Sequence, residues 1–132
     1  MLLHHLALRS ESPRRLAEFY ENVVGLRPAP ADLPRRPDDR DRDLRVWLAC
    51  GATIVMIERR TPEEPVPDPR SRELVAFAMA ADAREVSRAR LLAAGVVLEE
   101  ESDFSLYFRD PEGRRLALSH FPHPRETPTS VG

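Results

Sequence analysis

Lysine is absent from this chain of 132 residues, since all 20 of its basic residues are arginine. Schiff-base chemistry and lysine general-base catalysis are therefore excluded. We attribute the absence to the composition of the source genome rather than to function. The formal net charge is only −2, so the balance of charges supports neither nucleic acid nor a membrane surface as a partner.

Cysteine is nearly absent as well, because Cys50 is the single one. One thiol forms neither an intrachain disulfide nor a thiolate metal cluster, so we expect a cytoplasmic protein and regard Cys50 as a small buried filler. Apolar runs fall well short of the roughly 18 residues of a membrane helix, and no basic stretch precedes a long apolar one. Secretion and membrane insertion are therefore not expected.

Several sequence motifs that indicate a particular catalytic or binding chemistry are also missing. The sequence contains no glycine-rich phosphate loop, no Gly-x-Ser-x-Gly elbow and no paired-cysteine zinc motif. Gly51, Gly95 and Gly113 are interpreted as turn glycines.

The chain does contain an internal repeat, in which the same order of predicted strands and helix occurs twice. A strand over residues 2–9 would place His5, Ala7 and Arg9 on one face, because side chains alternate across a strand. Apolar residues at helical spacing then follow Ser12, a candidate cap, and Pro13, up to a stop at Gly25.

The second copy begins with an apolar strand over residues 73–79 and continues with Asp82 as a candidate cap, a helix over 83–94 and a stop at Gly95. Strands joined by a glycine turn end each copy, over 44–50 and 52–58 in the first and over 104–109 and 114–120 in the second. This repetition predicts an α+β fold of two tandem βαβββ modules, whose curved mixed sheets form a concave cavity.

These boundaries predict a single domain over residues 1–122, with module one at 1–60, a linker at 60–72 and module two at 73–122. The proline-rich tail, 123–132, is expected to fray. The long segment 27–43, with its charged run 35–43, could cover a cavity, or it is a solvated loop whose charges neutralise one another.

Three stretches in this order carry a resemblance to a known superfamily: His5-Leu-Ala-Leu-Arg, Leu16-Ala-Glu-Phe-Tyr with Val24-Gly-Leu, and Phe108-Arg-Asp-Pro-Glu-Gly-Arg-Arg-Leu-Ala-Leu. Together they resemble the vicinal oxygen chelate superfamily, which includes glyoxalase I, extradiol dioxygenases, fosfomycin-modifying enzymes and bleomycin resistance proteins. The resemblance spans nearly the whole chain. It implies a fold but no single activity, because that superfamily contains isomerases, oxygenases, transferases and binding proteins.

The resemblance also implies where metal ligands would stand, one on the first and one on the last strand of each module. His5 matches the first ligand, whereas Leu74 and Ala117 stand at the second-module positions. The fourth position is Val55, or Met56 if the strand slips by one residue, and only that slip would turn Glu58 inward. Such side chains do not hold a divalent ion, so we expect no metal and no cofactor, with His5 as the only retained ligand position.

The predicted concave face is mostly small and apolar, which suits an apolar or aromatic metabolite held by a few polar groups. Alternatively, the small residues only let the sheet pack closely against a partner. His5 is the tentative catalytic residue, a general acid or base if it is functional at all, and Arg9 either holds an anionic group or pairs with Glu11. The predicted ligand-binding residues are His5, Arg9, Thr53, Val55, Leu74, Tyr107, Ala117 and Ser119.

Three functions therefore stay open at this point. The chain is a binding protein for a small molecule, or an isomerase, epimerase or lyase that uses His5 (or a metal-dependent lyase or dioxygenase), or a subunit whose fold serves assembly alone. A twofold homodimer is expected, because each module has a sheet edge to cover. The sequence does not decide whether the modules pair within one chain or across two.

Overall fold

A computed structural model describes residues 1–33 and 40–122. The tail 123–132, which includes His123, and residues 34–39 of the charged loop lie outside this part, so the expectations about them stay predictions. In the described part, no helix is long and apolar enough to cross a membrane.

The first module begins with β1 (His5–Ser10). This strand is shorter than predicted because Leu2 and Leu3 are exposed to solvent and lie ahead of it rather than within it. Helix α1 (Pro13–Phe19) follows, with Pro13 in its first turn, and continues as a π-helical turn (Tyr20–Val24). Gly25 ends this turn at a φ of 101°, a left-handed conformation that L side chains rarely adopt, which confirms the predicted stop.

Three strands complete the first module: β2 (Arg27–Pro28), β3 (Arg45–Cys50) and β4 (Thr53–Arg59). Their order in the sheet is β1-β4-β3-β2, with β1 parallel to β4 and the other pairs antiparallel. Strand β2 has two residues and no sequence pattern that would have predicted it.

The second module repeats this plan. Strand β5 (Leu74–Ala78) leads through a 3₁₀ turn (Ala81–Ala83) into α2 (Arg84–Ala93), and Gly95 again has a positive φ. Strands β6 (Glu100–Glu101), β7 (Ser105–Arg109) and β8 (Arg115–Ser119) close a sheet with the order β5-β8-β7-β6. The α+β class and the two tandem modules are therefore confirmed.

The predicted helix caps are only partly right. Ser12 occupies the cap position of α1, but its side chain makes no capping hydrogen bond. Asp82 lies inside the 3₁₀ turn, so Ala83 rather than Asp82 precedes α2. The 3₁₀ turn ends at Ala83, whose backbone is already helical. The α-helix therefore begins one residue later than predicted, at Arg84.

One hydrophobic core joins the two modules on the side where the helices pack. It combines β1 and β4 residues such as Leu8 and Ile57 with Tyr20 of the π-helical turn and with Phe77 and Leu116 of the second sheet. Tyr20 and Phe77 stack edge to face at 6.2 Å between ring centroids.

A group of hydrogen bonds, which we call the polar lock, connects the two modules at the Asp110–Arg114 turn. The Tyr20 hydroxyl donates to Asp110 Oδ2 at 2.8 Å, and the Ser10 hydroxyl donates to Glu112 Oε2 at 2.5 Å. Arg114 Nη2 donates to the carbonyl of Arg9. The start of module one and the last hairpin of module two are therefore held together within one chain.

Candidate ligand-binding cleft

Each sheet has one face that packs on the helices and one that does not, which we call the open face. In the first sheet, His5, Ala7 and Arg9 lie on the open face, as predicted, while Leu8 and Ser10 point into the core. Because directly paired residues share a face, the partners of the first three also lie there: Ile54, Met56 and Glu58.

The predicted positions of Thr53 and Val55 on the open face are wrong. Val55 pairs with Leu6 and is 1% exposed in the core, and Ile57 is fully buried beside it. Thr53 has the same parity and donates its hydroxyl to the carbonyl of Leu3 at 2.8 Å. The slipped alternative, with Met56 and Glu58 on the face of His5, is the one that the structure adopts.

The shift arises because the two glycine turns used for counting are built differently. Cys50 pairs with Thr53, so two residues separate β3 from β4, whereas Arg109 pairs with Arg115 across a five-residue turn. A count of four residues from Gly113 ends at Ala117 on the open face, whereas the same count from Gly51 ends at Val55 in the core. The two glycines are therefore not equivalent reference points, and an error of one residue reverses every side chain of a strand.

The second sheet follows the prediction. Its open face carries Leu74, Ala76 and Ala78 of β5, paired in turn with Arg115, Ala117 and Ser119 of β8. Tyr107 pairs with Ala117 and lies on the same face. Ala117 is 1% exposed, because neighbouring side chains cover it. It therefore offers almost no surface to a ligand.

A cleft of about 850 Å³ lies between the edge strands β1 and β5. It is lined by Ala7 and Arg9 from module one, Leu74 and Arg115 from module two, and linker residues 65–68. The structure thus brings two predicted site residues, Arg9 and Leu74, to one cleft. His5, Tyr107, Ala117 and Ser119 lie on the open faces but do not line this cleft.

Arg9 is engaged by two carboxylates. Its Nε and Nη2 donate to Glu64 at 2.8 and 3.2 Å, and its Nη1 lies 3.5 Å from Glu58. The hydrogen bond from Arg9 lowers the pKa of the Glu64 carboxyl below its ordinary value. The alternative in which Arg9 pairs with Glu11 is wrong, since Glu11 lies beside Arg60, at 3.9 Å.

The second cation of the cleft, Arg115, is 9% exposed. Its guanidinium carbon lies 4.7 Å from the centroid of the Tyr107 ring, and its Nη2 is 3.4 Å from Glu100 Oε2. Arg114, the third arginine that lines the cleft, pairs with Asp110 at 3.3 Å. All three cations are thus already neutralised by carboxylates, so the cleft favours a hydrogen-bonding group over a full negative charge.

His5 is exposed at the start of β1. Its Nδ1 lies 2.9 Å from Nδ1 of His4, and the two rings meet edge to face. The partner of His5 is therefore a neighbouring exposed histidine rather than a carboxylate that would fix one tautomer for catalysis.

The residues at the ligand positions do not fit a divalent metal. On the open faces these positions are His5, Met56, Leu74 and Ala117, and only His5 is a good donor. Glu58 lies four residues along the strand from Ile54, the pair of His5, or about 13 Å away, and is occupied by Arg9 and Arg45. No group of three or more metal-binding side chains exists among the described residues.

Sequence reasoning missed the linker as part of the site. Glu64, Val66 and their neighbours come from a proline-rich segment without periodicity, so nothing indicated where it would lie. Arg115 was also missed, although its position two residues before Ala117 gives it the same face.

A glyoxalase-like domain model matches residues 5–119, so the chain belongs to the glyoxalase-like family and hence to the vicinal oxygen chelate superfamily. No curated protein sequence is significantly similar to this chain.

Solved structures share the fold. A glyoxalase/dioxygenase from Nostoc punctiforme is 18% identical with a TM-score of 0.78, and 92% of each chain is covered. The fosfomycin resistance protein FosX from Mesorhizobium loti is also 18% identical, with a TM-score of 0.67 and 92% of each chain covered. A mutant FosX from Listeria monocytogenes, complexed with Mn(II), is 16% identical with a TM-score of 0.70 and 90% coverage of each chain. Identities this low establish a common fold and not a common activity.

Proposed function

We propose that this chain binds a small, largely apolar or aromatic molecule in the cleft between β1 and β5, without the divalent metal of its metal-using relatives. The observation that carries the proposal is the cleft of about 850 Å³, with Ala7 and Leu74 in its walls. The metal-free part rests on the ligand positions, where Met56, Leu74 and Ala117 replace metal donors. A pocket of this kind gains affinity from apolar contact and orientation from a few polar groups.

The shape and charge of the cleft support the same assignment. Ala7 leaves room beside β1, Leu74 is 40% exposed on the opposite wall, and Val66 of the linker, 65% exposed, adds apolar surface. Because Glu64 and Glu100 already neutralise Arg9 and Arg115, a neutral ligand with one hydrogen-bonding group fits better than an anion. The predicted polar contact of Arg9 with the ligand is part of this proposal.

The proposal also assigns the remaining open-face residues to ligand recognition. Tyr107 and Ser119 extend the apolar and hydroxyl-bearing surface beyond the cleft, and His5 does so on the other sheet. If His5 acts as a general acid or base, the protein is instead an isomerase, epimerase or lyase. Loss of turnover in His5→Ala, with ligand binding retained, would select that alternative.

The test is a fragment screen by ligand-observed NMR, followed by affinity measurements on Leu74→Trp. An indole at this half-exposed position projects into the cleft and takes up part of it, so the affinity of fragments that bind against Leu74 should fall at least about tenfold, or 1.4 kcal/mol. The matched control is Leu92→Trp, because Leu92 is 47% exposed on α2 and lies outside the cleft.

Fragments that bind equally to wild type, Leu74→Trp and Leu92→Trp would exclude this cleft as the ligand site. A screen with no saturable binder would favour the assembly-only subunit, in which the open faces cover one another in an oligomer.

A further inference from the structure

A second cavity lies where the modules meet on the side of the helices. Its volume is about 250 Å³, and its walls come from the end of the π-helical turn, the β3–β4 turn, the end of β5 and α2. It shares no lining residue with the cleft between β1 and β5. Occupancy of this cavity is therefore independent of the function proposed above.

The charged side chains that line this cavity are cationic. Arg27 and Arg90 both line it, and no aspartate or glutamate does so among the described residues. Arg90 donates to the carbonyls of Val23 at 2.8 Å and Val24 at 3.4 Å, so its partners are backbone groups. Arg27 and Arg90 thus differ from Arg9, Arg88 and Arg109, each of which pairs with a glutamate.

The rest of the lining is suited to a short ligand with one polar end. Ser87 is 4% exposed and contributes a buried hydroxyl, whereas Phe77 and Leu118 contribute apolar surface from the second sheet. Guanidinium groups bind carboxylates and phosphates through paired hydrogen bonds. A volume of about 250 Å³ equals roughly eight water molecules at about 30 Å³ each, which limits the occupant to a small molecule.

We propose that this cavity is an anion site that takes a small carboxylate or phosphate, with Arg27 and Arg90 at the charged end and Phe77 and Leu118 at the apolar end. The carboxylate and the phosphate share the same recognition chemistry, and the two arms of the experiment separate them.

Cys50 makes the proposal measurable. It is the single cysteine of the chain, it is half-buried rather than fully buried as expected, and it lines this cavity. Burial raises the pKa of its thiol, so alkylation by the neutral reagent iodoacetamide is followed at mildly alkaline pH by mass spectrometry. Sodium benzoate and inorganic phosphate are added separately, with sodium chloride holding the ionic strength constant.

An occupied cavity shields the thiol, so the alkylation rate should fall by the factor 1 + [L]/Kd, or about fivefold at four times Kd. Arg27→Gln should raise that Kd about tenfold or more, since it removes a charged partner of the anion. Arg27 is exposed, so the substitution leaves the fold intact. The control is Arg70→Gln, whose side chain is 90% exposed and outside the cavity.

Protection by benzoate alone identifies a carboxylate site with an apolar tail, and protection by phosphate alone identifies a phosphate site. Isothermal titration calorimetry with the same two anions gives an independent reading that does not depend on the thiol. The proposal is overturned if neither anion gives saturable heat, or if Arg27→Gln and Arg70→Gln weaken protection equally, which would indicate general surface charge.

Discussion

Tyr20→Phe removes one hydroxyl from the lock between the modules, and we expect it to destabilise the fold measurably. The hydroxyl donates to Asp110 Oδ2 at 2.8 Å, with Tyr20 fully buried and Asp110 4% exposed. Asp110 also accepts from the backbone nitrogens of Glu112 at 2.8 Å and Arg114 at 3.1 Å, and from Arg114 Nη1 at 3.3 Å. The substitution therefore leaves the buried Asp110 carboxylate with these three hydrogen bonds and removes the one from the Tyr20 hydroxyl.

Hydrogen bonds to charged groups contribute about 1.5–3 kcal/mol to stability. We expect a value near the middle of that range, about 2 kcal/mol, because Asp110 keeps its other donors. The loss of one oxygen leaves little empty volume, so a cavity adds little to the cost. The edge-to-face contacts of the ring with Phe19 and Phe77 are retained by phenylalanine.

Urea denaturation followed by the fluorescence of Trp47, the single tryptophan, measures this loss of the free energy of unfolding. Tyr107→Phe is the matched control, since its half-buried ring lies under Arg115 and phenylalanine preserves that contact. We expect the control to change stability by less than about 0.5 kcal/mol. Equal losses in the two variants would refute the assignment of Tyr20 and Asp110 as a lock.

The same hydroxyl predicts a dependence on alkaline pH. Burial, and then the charge of Asp110, raise the pKa of Tyr20 far above its ordinary value of 10.0. Because the folded-state pKa is raised, the stabilisation is complete below pH 10 and declines as the pH rises above it, where the unfolded chain ionises. The stability difference between wild type and Tyr20→Phe should therefore shrink above pH 10, and a difference independent of pH would contradict this account.

Three further predictions concern the linker, the metal and the assembly. Because Arg9 lowers the pKa of Glu64 below its ordinary value of 4.5, the contribution of that pair is present above this pH and is lost as the pH falls below it. The protection of residues 61–68 against hydrogen exchange, taken relative to the intrinsic exchange rate at each pH, should decrease in acid, and at neutral pH in Glu64→Gln. Elemental analysis of the purified protein should find no stoichiometric transition metal, and one metal per chain that is lost in His5→Ala would count against the proposed function. Light scattering should give about twice the chain mass of 15.0 kDa, since β1 and β5 are edge strands of separate sheets, whereas a mass of 15.0 kDa at micromolar concentration would exclude the dimer.

The sequence by itself determined the two modules, the positions of the long strands and helices, and the open faces of β1 and β5. These features are local. Gly25 and Gly95 end helical patterns through backbone conformations that glycine adopts readily, and alternation assigns His5 and Arg9 to one face without any knowledge of their partners.

Only the tertiary structure decided the face of β4, the lining of the cleft and the lock. Residues 53–57 are apolar on both faces of β4 apart from Thr53, so alternation carries no signal there, and the register with β1 and β3 assigns each side chain to its face. Glu64 is 55 residues from Arg9, and Glu112 is 102 residues from Ser10. Contacts over such distances depend on how the two modules pack, which no periodicity within either module specifies.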